Sequence, residues 1–370
     1  MSNPLLRLLF PLLLLLLPPP LRDTYFSASH RPKDAGCSGE LHPVVLVPGQ
    51  SCNDLEARLT EAYKPSAPRC GAMKGNEWFG LWKNVSDLAA HDYVDCFVEQ
   101  MRLVYDPAIN DYRNLPGVET RVLNFGSARG FRDKDPLYPK RCVDSIREAL
   151  EIVGYRDGDT LFGAPYDWRY APPVPGQQSQ VYSCYFKQFK SLVEAASKKH
   201  HKKVIIFGHS YGGMVVVLEF VRNAPLAWRN KYINHLILVA PVLSAGFLQQ
   251  ARTIASGPAD FGYVGATQSS IRTMWRSFET GTVDLPSPKV FGHKPLVITK
   301  QRNYSAYDME DFLVAIGFSD GVQPFRRRMV PKMRYFKAPM VPITCINGVG
   351  IRTAEQLVYW ESDYYDSSQN

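Results

Sequence analysis

The sequence predicts an α/β fold, in which a mostly parallel β-sheet is covered by helices on both faces. Short, continuously apolar runs alternate along the chain with longer segments whose apolar residues share one helical face. At residues 202–220 one such run passes through a glycine-rich turn directly into another apolar segment. With 370 residues, of which 45% are hydrophobic, the chain is long enough to bury a large core.

The first residues have the composition of a secretory signal peptide, predicted at 1–22. Arg7 precedes an apolar run at 8–17 that is too short to span a bilayer, and Pro18 to Pro20 end it. An uncleaved signal anchor is the alternative. Residues 23–42 are polar and without periodicity, which predicts a linker. The expected location is therefore the secretory pathway, ending outside the cell, in a vacuole or in an endomembrane lumen.

Other features of the composition limit the possible partners and cofactors. The sequons at Asn84 and Asn303 are candidate glycosylation sites and agree with secretion. The net charge of +8 favours anionic surfaces such as lipid, but no aromatic-basic pattern indicates nucleic-acid binding. No Cys/His spacing resembles a metal site, and we expect no metal and no cofactor. The seven cysteines leave at least one without a partner in the chain.

The elements of a core at 43–370 can be assigned in order from these patterns. Each predicted strand is a buried apolar run bounded by turn residues, and each predicted helix carries apolar residues three and four positions apart. Strands are predicted at 44–47, 120–125, 160–164, 204–207, 236–240 and 341–346, and helices at 143–153 and 182–199.

Two insertions are predicted outside this alternation. About a hundred residues, too many for a simple crossover, separate the last two strands, which predicts a cap at about 245–335. A lid is predicted at about 52–105, where four large apolar side chains occur without helical or strand spacing. Such a cluster is typical of a lipid-binding surface, although packing beneath the core is an equal alternative. These four residues are Trp78, Phe79, Leu81 and Trp82.

The glycine-rich turn has the pattern of a nucleophile elbow. Gly208 and Gly212 flank Ser210 at two residues on either side, between an apolar strand and an apolar helix. Glycine is needed there because a side chain would collide with the neighbouring backbone in so sharp a turn. An ordinary glycine turn is the alternative, but the two apolar runs favour a catalytic serine.

The chemistry of an acyl transfer requires further groups around Ser210. Gln50 follows the first strand, where a serine hydrolase places a backbone donor of its oxyanion hole, although an ordinary strand-end turn is the alternative. A serine nucleophile also requires a histidine base. Only His235 and His293 follow Ser210 in the chain, and neither is expected near it, since one begins a strand and the other lies in the predicted cap.

Six segments together resemble the lecithin:cholesterol acyltransferase family. They are VVLVPGQSCNDLEARL at 44–59, NLPGVETRVLNFGS at 114–127, GAPYDWRY at 163–170, GHSYGG at 208–213, NYSAYDMEDFLVAIGF at 303–318 and VPITCINGVGIRTAEQLVY at 341–359. The resemblance implies an α/β-hydrolase fold, with Ser210 as the nucleophile and the backbone N–H groups of Gln50 and Tyr211 as the oxyanion hole. It also implies a lid disulfide at Cys70, for which Cys52 is the candidate partner.

The resemblance implies a serine-dependent O-acyltransferase and phospholipase. Such an enzyme moves a fatty acyl group from a glycerophospholipid to a sterol, another alcohol or water, on a phospholipid membrane or lipid particle surface. The acid and histidine of the family would fall beyond Asn370, so the C-terminal strand and helix are expected to be missing from these residues. A truncated, non-catalytic lipid-binding form is therefore the alternative.

Overall fold

The computed structural model describes residues 41–82, 94–131, 142–213, 217, 219–242, 246–257, 268–335 and 337–360. The chain divides into two units, 1–41 and 42–370, and the architecture below is that of the second. The predicted signal peptide, the predicted linker as far as residue 40, and the sequon residue Asn84 lie outside the described residues.

Strands and helices alternate from about residue 144 to residue 239, whereas runs of strands or of helices follow one another before and after this part. The strands are β1 Val44–Val47, β2 Leu55–Leu59, β3 Phe79–Trp82, β4 Leu103–Asp106, β5 Asp111–Asn114, β6 Val118–Val122, β7 Leu161–Gly163, β8 Val204–His209, β9 Ile233–Val239, β10 Val297–Thr299, β11 Asn303–Tyr304, β12 Ile343–Ile346 and β13 Leu357–Tyr359. The α-helices are α1 Val94–Met101, α2 Asp144–Ile152, α3 Gln180–His200, α4 Glu219–Asn223, α5 Leu226–Tyr232, α6 Leu248–Ser256, α7 Gln268–Ser277, α8 Glu279–Val283, α9 Pro288–Phe291, α10 Met309–Ala315, α11 Val322–Pro324 and α12 Val330–Arg334, and Phe325–Met329 forms a π-helical turn.

The central sheet has five parallel strands in the order β12-β9-β8-β1-β7. All four residues of β1 are buried, because Val45 and Val47 face the larger core cluster whereas Val44 and Leu46 face a second cluster on the opposite side. Burial on both faces explains why this strand is continuously apolar. The arrangement confirms the predicted α/β-hydrolase sheet.

The helix that precedes the central strand β8 begins and ends at residues whose local conformation explains its limits. The preceding helix α3 begins after Ser179, whose side chain accepts a hydrogen bond from the N–H of Tyr182. It ends at His201, which adopts a left-handed conformation (φ 51°) and so turns the chain out of the helix. Helix and strand both lie close to where the sequence predicts them.

One predicted strand, at 120–125, belongs to a different sheet. The observed strand is β6, which pairs antiparallel with β2 in a three-stranded sheet of order β3-β2-β6. Its exposed residues Glu119 and Arg121 alternate with more buried neighbours. Such alternation suits an antiparallel sheet with one solvated face, and not a parallel strand that is buried on both faces.

The disulfides correct the predicted pairing of Cys52 with Cys70. The structure pairs Cys52 with Cys142 and Cys70 with Cys96, at Cα–Cα distances of 5.7 and 5.0 Å. Cys70 lies in a short turn that packs against α1, and Cys96 is in that helix. The partner of Cys70 is thus the cysteine of this helix, 26 residues further along the chain. Each disulfide stabilises the fold by about 2–5 kcal/mol.

The predicted lid cluster is only partly at the surface. Leu81 and Trp82 are 5% and 2% exposed, and the Trp82 ring packs edge-on against Trp168 at 5.0 Å. These two side chains belong to the core, so their predicted role in lipid contact is wrong. The buried indole N–H of Trp82 has a hydrogen-bond partner, because it donates to the Ser51 carbonyl at 3.1 Å.

The other two residues of this cluster, Trp78 and Phe79, are half-buried. The guanidinium groups of Arg58 and Arg121 lie 5.1 and 4.4 Å from the Trp78 ring centre, which is the geometry of a cation–π contact. Lipid contact therefore stays a prediction for Trp78 and Phe79 alone. In the described part of the chain, no helix has the length and apolar character needed to cross a membrane.

Candidate active site

Ser210 lies at a strained turn between β8 and a helix. The strand ends at His209, helical backbone follows at once, and the φ angle of Ser210 is 50°. A residue with a Cβ pays about 1–3 kcal/mol in this left-handed region, which surrounding structure must enforce. Such strain is typical of a nucleophile elbow, because it lifts the serine hydroxyl out of both the strand and the helix.

Backbone packing around the turn explains its glycines. A Cβ placed on Gly212 would lie 1.9 Å from the Pro48 carbonyl oxygen, and one on Gly208 would lie 2.2 Å from the Cα of Gly213. No side chain fits at either position. The elbow is therefore held by direct backbone contact with the loop after β1, as well as by its own sharp turn.

The same loop places Gln50 next to the nucleophile. A Cβ placed on its neighbour Gly49 would lie 3.1 Å from the Ser210 Cβ, so the two backbones are in close contact. Tyr166 fixes this loop by donating its hydroxyl to the Pro48 carbonyl at 3.0 Å. The structure thus brings the backbone of the Gln50 loop against Ser210.

Tyr211 carries the second N–H group predicted for the oxyanion hole. It is the residue after Ser210 in the first helical turn, where backbone N–H groups have no partner within the helix. Its side chain is 1% exposed, stacks on Tyr166 at 6.3 Å and donates to the Tyr170 carbonyl at 3.3 Å. The buried ring fixes the backbone of Tyr211, which could then donate to an oxyanion together with Gln50.

None of the described histidines contacts the Ser210 hydroxyl. His235 is hydrogen-bonded to Thr344 at 2.8 Å near the start of β9, and His293 stacks on Tyr307 at 4.3 Å in the predicted cap. Both therefore lie where the sequence predicts them. His209 directly precedes Ser210, but its Nδ1 is buried without a partner, and burial lowers the pKa of its imidazole.

One buried acid that the sequence did not predict as a site residue, Asp284, lies near the Tyr166 and Tyr211 phenols. It follows α8, is 2% exposed, and its Oδ1 has no hydrogen-bond partner. Burial raises the pKa of the Tyr166 and Tyr211 phenols, and the charge of Asp284 adds to the shift at both. The carboxyl therefore acts on the phenol ends of these two buried side chains, and no contact joins it to the Ser210 hydroxyl among the described residues. The only sequence signal was an acid between two apolar residues, Val283 and Leu285.

Asp284→Asn is expected to stabilise the protein at neutral pH. Burial raises the pKa of the Asp284 carboxyl well above its usual range, so the folded protein keeps a proton that the unfolded chain loses above about pH 4. The carboxyl therefore destabilises the fold increasingly as pH rises from about 4 toward its folded pKa. We expect the variant to melt with the wild type near pH 4 and to be more stable by about 1 kcal/mol or more at pH 7.

Thermal melting at the two pH values measures this effect, with the exposed Asp320→Asn as the matched control. The Asp320→Asn variant should melt at the same temperature as the wild type at both pH 4 and pH 7. A variant at 284 that is less stable than the wild type at pH 7 would show that the ionised carboxylate has a stabilising partner.

Comparison with known proteins identifies the family. The model of the lecithin:cholesterol acyltransferase family matches residues 78–322. The chain belongs to the lecithin:cholesterol acyltransferase family. The predicted resemblance is thereby confirmed, and with it the α/β-hydrolase fold.

Relatives in this family match the chain over most of its length. It is 43% identical to lecithin-cholesterol acyltransferase-like 1 of Oryza sativa subsp. japonica, over 91% of this chain and 76% of the relative. It is 32% identical to the lysosomal phospholipase A and acyltransferase of Bos taurus, over 92% and 78%. It is 31% identical to the phosphatidylcholine-sterol acyltransferase of Mus musculus, over 94% and 77%.

Proposed function

We propose that this protein is a serine-dependent O-acyltransferase and phospholipase of lipid metabolism. It moves a fatty acyl group from a glycerophospholipid through Ser210 to a sterol, another alcohol or water. The observation that carries the proposal is the strained Ser210 at the end of β8, with the Gln50 loop packed against it. The names of the relatives, which include acyltransferases and phospholipases, support the same class of reaction.

In the proposed reaction the Ser210 hydroxyl attacks an ester carbonyl of the phospholipid while a base takes its proton. The N–H groups of Gln50 and Tyr211 stabilise the oxyanion, and its collapse expels the lysophospholipid and leaves an acyl ester on Ser210. The hydroxyl of the acceptor then attacks this ester and regenerates the serine. We assign the base to none of the described residues.

The proposed setting is a lipid surface reached through the secretory pathway. The two disulfides support an oxidising compartment, and the candidate glycosylation residue Asn303 is exposed. Trp78 and Phe79 are the proposed contacts of the lid with a phospholipid membrane or lipid particle.

A second candidate is a lipid-binding protein without turnover. The observation that favours it is that no described histidine is hydrogen-bonded to the Ser210 hydroxyl, whereas a serine without its base retains little catalysis. Such a protein would hold phospholipid but release neither fatty acid nor acyl ester.

The test is to incubate the full-length protein with phosphatidylcholine vesicles that contain a sterol. Fatty acid and sterol ester are measured, and the peptide that carries Ser210 is examined by mass spectrometry for an acyl group. The proposal expects acylation of Ser210 and several turnovers per molecule. Vesicle binding without acylation would support the lipid-binding protein, and an acyl group on another residue would overturn the role of Ser210.

A further inference from the structure

We infer that Thr280 is a positioning residue, which holds Gln50 in the orientation required of an oxyanion donor. The catalytic meaning of this inference rests on the proposed function. Gln50 and Thr280 are 230 residues apart in sequence, and the contact between their side chains joins the loop after β1 to helix α8 of the predicted cap.

The Thr280 hydroxyl accepts one hydrogen bond and donates another, so it links Gln50 to Arg169. The Gln50 side-chain amide donates to the Thr280 hydroxyl at 3.0 Å. That hydroxyl in turn donates to the Arg169 carbonyl at 3.4 Å, and the Thr280 backbone N–H donates to the same carbonyl at 3.1 Å. The side chain of Thr280 is 0% exposed, so water does not compete for these bonds.

The far end of this chain of bonds is anchored in the core. Arg169 is 0% exposed, and its guanidinium donates to Asp167, to Asn114 at 2.8 Å and to the Met101 carbonyl at 3.0 Å. Helix α8 is held from another side by the Gln250 amide, which donates to the Gly281 carbonyl. Thr280 therefore connects the half-buried side chain of Gln50 to a network of buried hydrogen bonds that holds Thr280 in place.

Orientation matters because an oxyanion donor acts over a narrow range of distance. Loss of one such donor typically lowers kcat by about 10²–10³-fold. Without the bond to Thr280, the Gln50 amide has no fixed partner in this network, and its backbone N–H samples orientations that miss the oxyanion. A loosened donor is expected to have part of that effect, a fall in kcat of about 10–100-fold.

The deciding variants differ in whether residue 280 carries a hydroxyl group. Thr280→Val keeps the shape and removes the hydroxyl, and is expected to lower kcat for acyl release from phosphatidylcholine with KM unchanged. Thr280→Ser restores the hydroxyl and should restore kcat. Thr282→Val is the matched control, because Thr282 lies in the same helix, is 1% exposed, and its hydroxyl donates within that helix to the Glu279 carbonyl.

A double-mutant cycle tests whether Thr280 acts through Gln50. Gln50→Ala removes the side-chain anchor but keeps the backbone N–H, so it should lower kcat as Thr280→Val does. The double variant should then be no slower than either single variant. An equal additional loss on combining the two would show that Thr280 acts by another route and would overturn the inference.

Hydrogen exchange separates this inference from the proposed function. In Thr280→Val, the amides of residues 49–52 should exchange faster with deuterium than in wild type or in Thr282→Val, whether or not the protein turns over phospholipid. Unchanged exchange would overturn the positioning role. Absence of acylation at Ser210 in the wild type, with faster exchange in the variant, would overturn the proposed function alone.

Discussion

Replacing Ser210 with alanine is expected to lower kcat for acyl release from phosphatidylcholine vesicles by on the order of 10⁶-fold in the full-length protein. Alanine cannot form the acyl ester, so only the oxyanion hole and substrate binding remain, which typically provide about 10³–10⁴-fold acceleration over water. Vesicle binding should be unchanged, because the hydroxyl is one small group among those that contact the lipid.

Protein stability is the control for this substitution. Alanine and serine both carry a Cβ, so both experience the same strain at φ 50°, and the melting temperature should not fall. Residual acyl release above about 1% of wild type would be too large for the remaining groups and would indicate a different nucleophile. Loss of release together with a lower melting temperature would instead indicate a structural role.

Replacing Arg328 with methionine is expected to lower the free energy of unfolding by about 3–5 kcal/mol. Arg328 and Glu279 are both 0% exposed and form an ion pair, and Asp111 lies 3.5 Å from the same guanidinium. Methionine removes the charge but keeps a similar volume. Two carboxylates would then remain buried, and among the described residues the cation left within ion-pair distance of Glu279 is Lys332, at 3.5 Å.

Arg326→Met is the matched control for this prediction. Arg326 lies in the same π-helical turn, but its ion pair with Glu310 is at the surface, where such pairs contribute about 0–1 kcal/mol. Denaturant unfolding of the two variants measures the difference. Equal stability of the two variants would show that the buried carboxylates find other partners or take up protons when Arg328 is lost.

The Arg328 variant also bears on the active site. Glu279 is the first residue of α8 and directly precedes Thr280, and its carboxylate accepts a hydrogen bond from the Ala171 backbone at 2.9 Å. Loss of its cation weakens the attachment of this helix to the core. We expect part of the activity loss of Thr280→Val to accompany the loss of stability.

The features that local sequence could predict are those with a local cause. The buried strand β1 and the strand before Ser210 are apolar because both faces of the sheet are covered. Gly208 is required by a contact within the turn itself, because a Cβ there would lie 2.2 Å from the Cα of Gly213. The motif around Ser210 therefore predicted a nucleophile site, and six motifs in order predicted the family.

What only the tertiary structure decided concerns partners that are distant in sequence. Spacing does not determine which cysteines approach, so Cys52 pairs with Cys142 across 90 residues and not with Cys70. Nor can an aromatic cluster show by itself which rings are covered, and Trp82 proved to be a core residue. The contact between Gln50 and Thr280 likewise depends on how the cap packs against the sheet, which arises from the sum of many long-range contacts and leaves no local pattern in the sequence.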